Sequence, residues 1–572
     1  MKPSDGMNFT SEQQEIFKFV QTGTGNGIID AVAGAGKTTT IMECARYVSG
    51  NGSRILFCAF NKSISKEIGE KLSKQGLGHV AVKTIHALGY QILEANELMN
   101  RQMVDESKYD KLIKEKEVQH LLKPFYEKIL IINGLQPDLA EDDKYEAFAI
   151  KKLVFQINRR LLNINQKIRA TLAKETLSDF RELVIHFGIF NETEIKKTFF
   201  NEELEEYFNA TLALLREGND LAKKALIMDF TDMIYLPYQW NLESPIKFDF
   251  LFIDECQDLS RSQLAVVAKF GHQHSRVLAV GDPRQSIYGF TGADIKSFEN
   301  VNKMISALQF PLTSCFRCPQ KVIELAKNIR SDIVGIKKED GSVLEITTDK
   351  IFELAKPGDL IISRLRAPLL ILVFGFIDKN IKVQIHEDEV RDIINEIKGI
   401  FKHDELHAKI ANLAGGFEMM KSGVTERSGW VINREAERIV NSLERAMYIE
   451  KQREFVKQKL EFLHRKFEQW KSTCSTLSDI IKRIQEFVSS TTDSIHLSTI
   501  HRAKGLENDR VFILDYDELP LQHLEQKDWE KVQELNLKYV AVTRTKQELF
   551  LVRAPRIEVL KEKSLFDVLP FD

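Results

Sequence analysis

The sequence predicts an α/β protein made of two parallel-sheet domains, each interrupted by a mainly helical insertion. Three observations carry that expectation. Apolar runs of strand length recur in two clusters, stretches of helical periodicity separate them, and a long helix-forming segment breaks each cluster. Strands that are apolar on both sides suit a sheet covered on both faces, which crossover helices provide.

The first cluster contains "GIIDAV" (27–32), "RILFCAF" (54–60), "VAVKTI" (80–85), "FDFLFID" (248–254) and "RVLAVGD" (276–282). The second contains "SALQFPL" (306–312), "GDLIISR" (358–364), "KVQIH" (382–386), "SIHLSTIH" (494–501), "DRVFILD" (509–515) and "ELFLVRA" (548–554). Residues 1–90 and 225–305 therefore form one expected domain, with a helical insertion at 91–224. Residues 306–386 and 491–572 form the other, with a reduced insertion at 387–490. The run "APLLILVFGFI" (367–377) is too short to span a bilayer and reads as a core element.

Composition narrows the class. Over 572 residues, 43% are hydrophobic and 28% charged, the balance of a soluble globular chain. The formal net charge of −3 excludes a globally basic coat for nucleic acid but leaves room for a local basic groove. Six scattered cysteines fit reduced thiols, and the CxxC of Cys315 and Cys318 lacks a second pair. No signal-peptide core precedes the first helix, so a cytoplasmic location is expected, or a nuclear one in a eukaryote.

The chemistry starts at "AVAGAGKTT" (31–39), between a strand and a helical run. Free N–H groups and the helix dipole favour an anion there, and Gly34 and Gly36 let the backbone of Ala33, Gly34, Ala35 and Gly36 approach it closely. Lys37 reaches terminal phosphates, the Thr38 hydroxyl ligates Mg²⁺, and Thr39 follows in the same turn. "FDFLFIDECQD" then places Asp254 and Glu255 at a strand's C-terminal end, the edge of a parallel sheet where ligands bind. Asp254 suits the Mg²⁺ and Glu255 suits activation of a water for in-line attack. "VLAVGDPRQSIYGF" adds an amide, Gln285, and two aromatic faces for bases, Tyr288 and Phe290. In the second cluster, Arg317 ends a strand and Arg544 lies in a helical run; both can stabilise charge on a transferring phosphoryl group.

In this order, the segments resemble the motifs of a superfamily 1 helicase of the UvrD/Rep/PcrA type. "FTSEQQEIF" resembles the Q motif, "AVAGAGKT" motif I, "DECQD" motif II and "GDPRQSIYGFTGAD" motif III. "AFNKSISKEI" and "TIHALG" resemble the motifs that lie between, while "LTSCFR", "TIHRAKGLE" and "NLKYVAVTRTK" resemble motifs IV, V and VI. The wording "AFNK" and "NLKYVAVTR" is similar to that of the F-box helicases and of compact phage or prokaryotic relatives.

The resemblance implies two RecA-like domains and an ATP- and Mg²⁺-dependent motor moving 3′ to 5′ on single-stranded DNA, with duplex junctions as its substrate. It gives Gln13 the adenine, Phe316 the face of the base and Glu507 the ribose, with Lys37, Glu255, Gln285, Arg317 and Arg544 catalytic. Asn61, Lys62, Thr84, His86, Thr499 and His501 would hold the DNA backbone, with Tyr288 and Phe290 against bases. A separately encoded nuclease or other DNA-processing protein is a candidate partner, and a membrane is not. A DNA-stimulated ATPase that regulates such a partner, with little unwinding of its own, is the alternative reading.

Overall fold

Strands whose residues are buried on both faces organise the molecule, as the apolar runs require. The computed structural model describes residues 8–50, 52–98, 104–135, 144–190, 192–289, 296–386, 390, 391, 394, 469, 476–488, 493–522 and 526–553. Two units result, Met1–Phe316 with His523–Asn536, and Arg317–Gln522 with Leu537–Asp572.

In the first unit, β1 (Gly27–Ala31), β2 (Ile55–Ala59), β3 (Ala81–Thr84), β4 (Phe248–Ile253), β5 (Gly271–Gly281) and β6 (Leu308–Leu312) form one sheet in the order β3-β2-β4-β5-β1-β6. Every pairing is parallel. All six C-terminal ends therefore share one edge, where the motif residues emerge. Helix α1 (Ser11–Thr22) starts with a reciprocal capping box between Thr10 and Gln13, and α2 (Lys37–Ser49) follows β1. Helices α3 (Lys62–Lys74) and α4 (Ile85–Ala95) follow β2 and β3.

Strand β6 corrects the expected boundary. Residues 306–312 were assigned to the second domain, yet Gly27–Ala31 pairs with Leu308–Leu312 throughout. The chain leaves the first sheet only after that edge strand, and residues 523–536 also group with the first unit.

The helical insertion of this unit has its own core, including Phe125, Leu161, Phe180, Tyr207 and Leu214. Beneath it lies a buried ion network. Lys108 Nζ donates to Asp232 Oδ2 at 2.5 Å and to the Gly218 carbonyl at 2.7 Å. Arg169 Nη1 donates to Asp229 Oδ1 at 2.7 Å and to Asp232 Oδ1 at 2.8 Å. Because removal of one partner strands a buried charge, breaking such a network costs about 3–5 kcal/mol.

The second unit repeats the architecture. Strands β7 (Ser342–Thr347), β8 (Leu360–Ser363), β9 (Val383–Gln384), β10 (Ile495–Thr499), β11 (Asn508–Ile513) and β12 (Thr545–Arg553) are ordered β9-β10-β8-β11-β12-β7, all parallel. Strand β7 has no counterpart among the sequence-predicted strands, because its half-exposed "SVLEIT" lacks an apolar run. The "APLLILVFGFI" segment is the core helix Arg366–Asp378, with Leu372, Val373 and Phe376 buried. Most of the expected insertion at 387–490 lies outside the described residues. Its last helix, Leu477–Phe487, contributes Ile481 and Ile484 to this unit's core.

Candidate nucleotide site

In the first unit the residues of two distant segments converge. Gly34 and Gly36 have φ of +70° and +76°, where a Cβ would be strained. Gly36 is the N-cap of α2 and offers no side chain to the N–H groups that begin the helix. Lys37 Nζ lies 3.3 Å from Glu255 Oε1, and the Thr38 hydroxyl donates to Asp254 Oδ2 at 2.9 Å. Ala33 and Ala35 are buried behind this loop, whereas Thr39 faces solvent.

Glu255 adopts left-handed φ and ψ of 51° and 43°, a conformation costing a non-glycine residue about 1 kcal/mol or more. The turn aims its carboxylate back at Lys37 while Gln257 Nε2 donates to its other oxygen at 2.5 Å. Burial opposes the Lys37 charge, but Glu255, Asp282 and Asp254 outweigh it and hold its pKa above the ordinary value. Burial, reinforced by Glu255, pushes the Asp254 carboxyl up to about 6. Both shifts reflect carboxylates crowded around Lys37 in a buried pocket. Thr38 and Asp254 supply the hard oxygens that Mg²⁺ takes. No group of three or more His, Cys, Asp or Glu side chains suited to a metal exists among the described residues.

Around this centre, Gln285 donates from Nε2 to Asp282 Oδ2 at 2.7 Å. Gln13 accepts from the Thr10 amide at Oε1 and donates from Nε2 to Thr40 at 2.9 Å, so the capping box fixes its side chain beside α2. Phe316 is 41% exposed, and its N–H donates to the Gly34 carbonyl at 3.0 Å.

Of the expected DNA contacts, Asn61, Lys62, Thr84, His86 and Tyr288 follow strands of this same sheet. Asn61 and Thr84 are N-caps, accepting from the Ile64 and Ala87 amides, and Lys62 opens α3. Tyr288 stacks on Phe60 with centroids 5.9 Å apart and planes 15° apart. His86 packs edge-on against the half-exposed Phe230, and burial lowers its pKa. Phe290 lies outside the described residues.

In the second unit, Arg317 Nε donates to Glu507 Oε2 at 2.7 Å, and Lys546 Nζ reaches Glu507 Oε1 at 2.9 Å. Burial opposes the Glu507 charge, but Lys546 and Arg317 prevail and keep its pKa low. Arg544 does not lie within a helix, as its helical run predicted. The helix ends at Val542, and Arg544 occupies the turn before β12, where it donates to the Val540 and Leu506 carbonyls. Thr499 accepts from the Arg502 amide. Burial, with help from Arg364 and Lys504, lowers the His501 pKa to about 4, so this ring is neutral at pH 7.

The second sheet also carries an echo of the first. After β11, Asp515 takes the left-handed conformation and a 3₁₀ turn follows at Tyr516–Glu518, as Glu255 and Cys256–Asp258 do after β4. Buried Leu514 then stands where the first unit has Asp254, so that position carries no carboxylate in the second sheet.

Comparison with known proteins decides the family. The UvrD/REP helicase N-terminal domain matches residues 10–306, and the UvrD-like helicase C-terminal domain matches 494–552. The chain belongs to the UvrD/REP helicase family. It is of the UvrD/Rep/PcrA type in superfamily 1, and its two parallel sheets are the RecA-like P-loop fold. Among its relatives is F-box DNA helicase protein 1 of Schizosaccharomyces pombe, 22% identical over 95% of this chain and 57% of that protein. A probable DNA helicase II homolog of Mycoplasma genitalium is 21% identical over 96% of this chain and 85% of its own length. The ATP-dependent DNA helicase Rep of Escherichia coli is 24% identical over 61% of this chain and 44% of Rep. The chain thus spans little more than half of the fungal relative.

Within this helicase-family chain, sequence reading left Phe60 out of the DNA contacts and missed three further residues at the candidate sites. Phe60 is the partner of Tyr288, Gln257 braces Glu255, Phe230 presents a ring beside His86, and Lys546 shares Glu507 with Arg317. Phe60 directly precedes a flagged motif residue, and Gln257 lies inside "DECQD"; those positions were the available signals.

Proposed function

We propose that this protein is an ATP-dependent DNA helicase or translocase, moving 3′ to 5′ on single-stranded DNA and separating duplex at a junction. The convergence of Lys37, Thr38, Asp254 and Glu255 at one sheet edge is the observation that carries the reading. In this mechanism the α2 N-terminus and Lys37 bind the ATP phosphates, while Thr38 and Asp254 would hold Mg²⁺. When bound, the metal neutralises phosphate charge. Glu255 takes a proton from the attacking water, and Gln285 orients that water and the γ-phosphate. Gln13 reads the adenine, Phe316 lies against it, and Glu507 meets the ribose. Arg317, which donates to Glu507 from Nε and to the Thr543 carbonyl from Nη1, joins Arg544 in stabilising the transferring phosphoryl group.

DNA would run along the edge marked by Asn61, Lys62, Thr84, His86, Phe230 and the Phe60–Tyr288 stack, with Thr499 and His501 on the second unit. A base displacing one ring of the stack gains an aromatic face worth about 1–3 kcal/mol. Gln285 and Tyr288 share one loop, so the state of the phosphate can bias the grip on that base. Names of relatives that act as DNA helicases support DNA as the substrate. Among the described residues no helix is long and apolar enough to cross a membrane.

Strand release from 3′-tailed and 5′-tailed duplexes, with ATP and Mg²⁺, tests the proposal. Release from the 3′-tailed substrate alone is expected. ATP turnover stimulated by single strands without release from either substrate would overturn unwinding in favour of regulation of a partner.

A further inference from the structure

We propose that Asn536 is a positioning residue for Gln285, clamping the loop that carries the glutamine; this rests on the ATP-hydrolysing reading above. The loop is a 3₁₀ turn, Pro283–Gln285, closed by backbone bonds from the Gln285 amide to the Asp282 carbonyl at 2.8 Å and, at only 3.4 Å, from the Ser286 amide to the Pro283 carbonyl. Asn536 reinforces it. Its Nδ2 donates to the Ser286 carbonyl at 2.9 Å and to the Pro283 carbonyl at 3.2 Å, flanking Gln285 on both sides. One turn earlier on the same helix, Gln533 Oε1 accepts from the Gly289 amide at 3.1 Å, holding the loop's far end. A Cβ at Gly289 would come within 2.7 Å of that oxygen, so the glycine permits the close approach.

The opposite side of the loop is fixed as well. Gln257 Oε1 accepts from the Asp282 amide at 3.1 Å, and its carbonyl accepts from the Ser286 hydroxyl at 3.2 Å. Gln285 is thus held between a residue of the Asp254–Glu255 turn and a residue of the helix Asp528–Val542. That helix ends beside the turn of Arg544.

The asparagine is fully buried, and its Oδ1 has no hydrogen-bond partner. Such an orphan oxygen has a desolvation cost that an apolar side chain of like volume would avoid. Leucine would therefore fill the space with no orphaned oxygen, but could not hold the two carbonyls. Retention of the amide at that cost points to placement of the loop rather than to packing.

The test is a double-mutant cycle on ATP turnover at saturating oligo(dT), with the ATP KM and the melting temperature measured alongside. Asn536→Leu should lower kcat by about tenfold or more, since displacement of a catalytic group by an ångström has effects of that order. Its KM for ATP should stay within about twofold and its melting temperature should not fall. In a Gln285→Ala background the same substitution should have little further effect, because Asn536 acts through Gln285. Asn536→Leu at wild-type kcat, or an equal additional loss in the Gln285→Ala background, would overturn the inference. Absence of oligo(dT) stimulation in the wild-type protein would instead overturn the reading on which it rests.

Discussion

Glu255 is the residue at which structure and chemistry meet most closely. Its left-handed backbone turns the carboxylate to within 3.3 Å of Lys37. Glu255→Gln should lower ATP turnover by at least about a thousandfold while ATP still binds, as quench-flow and equilibrium binding would show. Lys167 gives a prediction about stability. It is almost fully buried over the Phe187 ring, and burial lowers its pKa to about 8. The unfolded chain therefore holds more protons than the native one from about pH 8 to 10.5, so stability rises with pH across that window. Below pH 8 the cost is complete. Lys167→Met should raise stability by about 2–3 kcal/mol at pH 7, a gain that shrinks toward pH 10 in urea titrations. Lys37, Thr38 and Glu255 were legible in the sequence because glycine spacing and strand ends are local signals. The Phe60–Tyr288 stack was not, since the two rings come from strand ends far apart in the chain.

Helix α4 shows the same division at the scale of elements. Its apolar periodicity and the cap at Thr84 can be read locally, whereas its close approach to the helix Phe230–Gln239 cannot. A Cβ at Gly89 would lie 2.0 Å from the Met233 carbonyl oxygen, against rigid backbone. Gly89→Ala should destabilise the protein by about 2–3 kcal/mol, measurable as a lower urea midpoint, by forcing the two helices apart. The misplaced β6 has a related cause. Its apolar pattern specifies a strand, but which sheet receives it depends on pairing with distant β1. Pro311 is tolerated there because β6 is an edge strand. Strand β7 escaped notice for the opposite reason: it pairs with β12 although half its surface faces solvent.

Across the whole molecule, the alternation of strands and helices and the order of the motifs made two RecA-like sheets legible from the sequence. The echo between the Glu255 and Asp515 turns was hidden, because it is conserved in backbone conformation while Leu514 replaces an acid. The proposed mechanism gives Arg544 of the second unit a role on the transferring phosphoryl group. The rate of the hydrolytic step in Arg544→Ala at saturating ATP, Mg²⁺ and oligo(dT) tests this most directly. A fall of about a thousandfold or more with ATP affinity retained is predicted, the effect expected of an arginine acting on the transferring phosphoryl group. Hydrolysis within about tenfold of the wild-type rate would contradict the account.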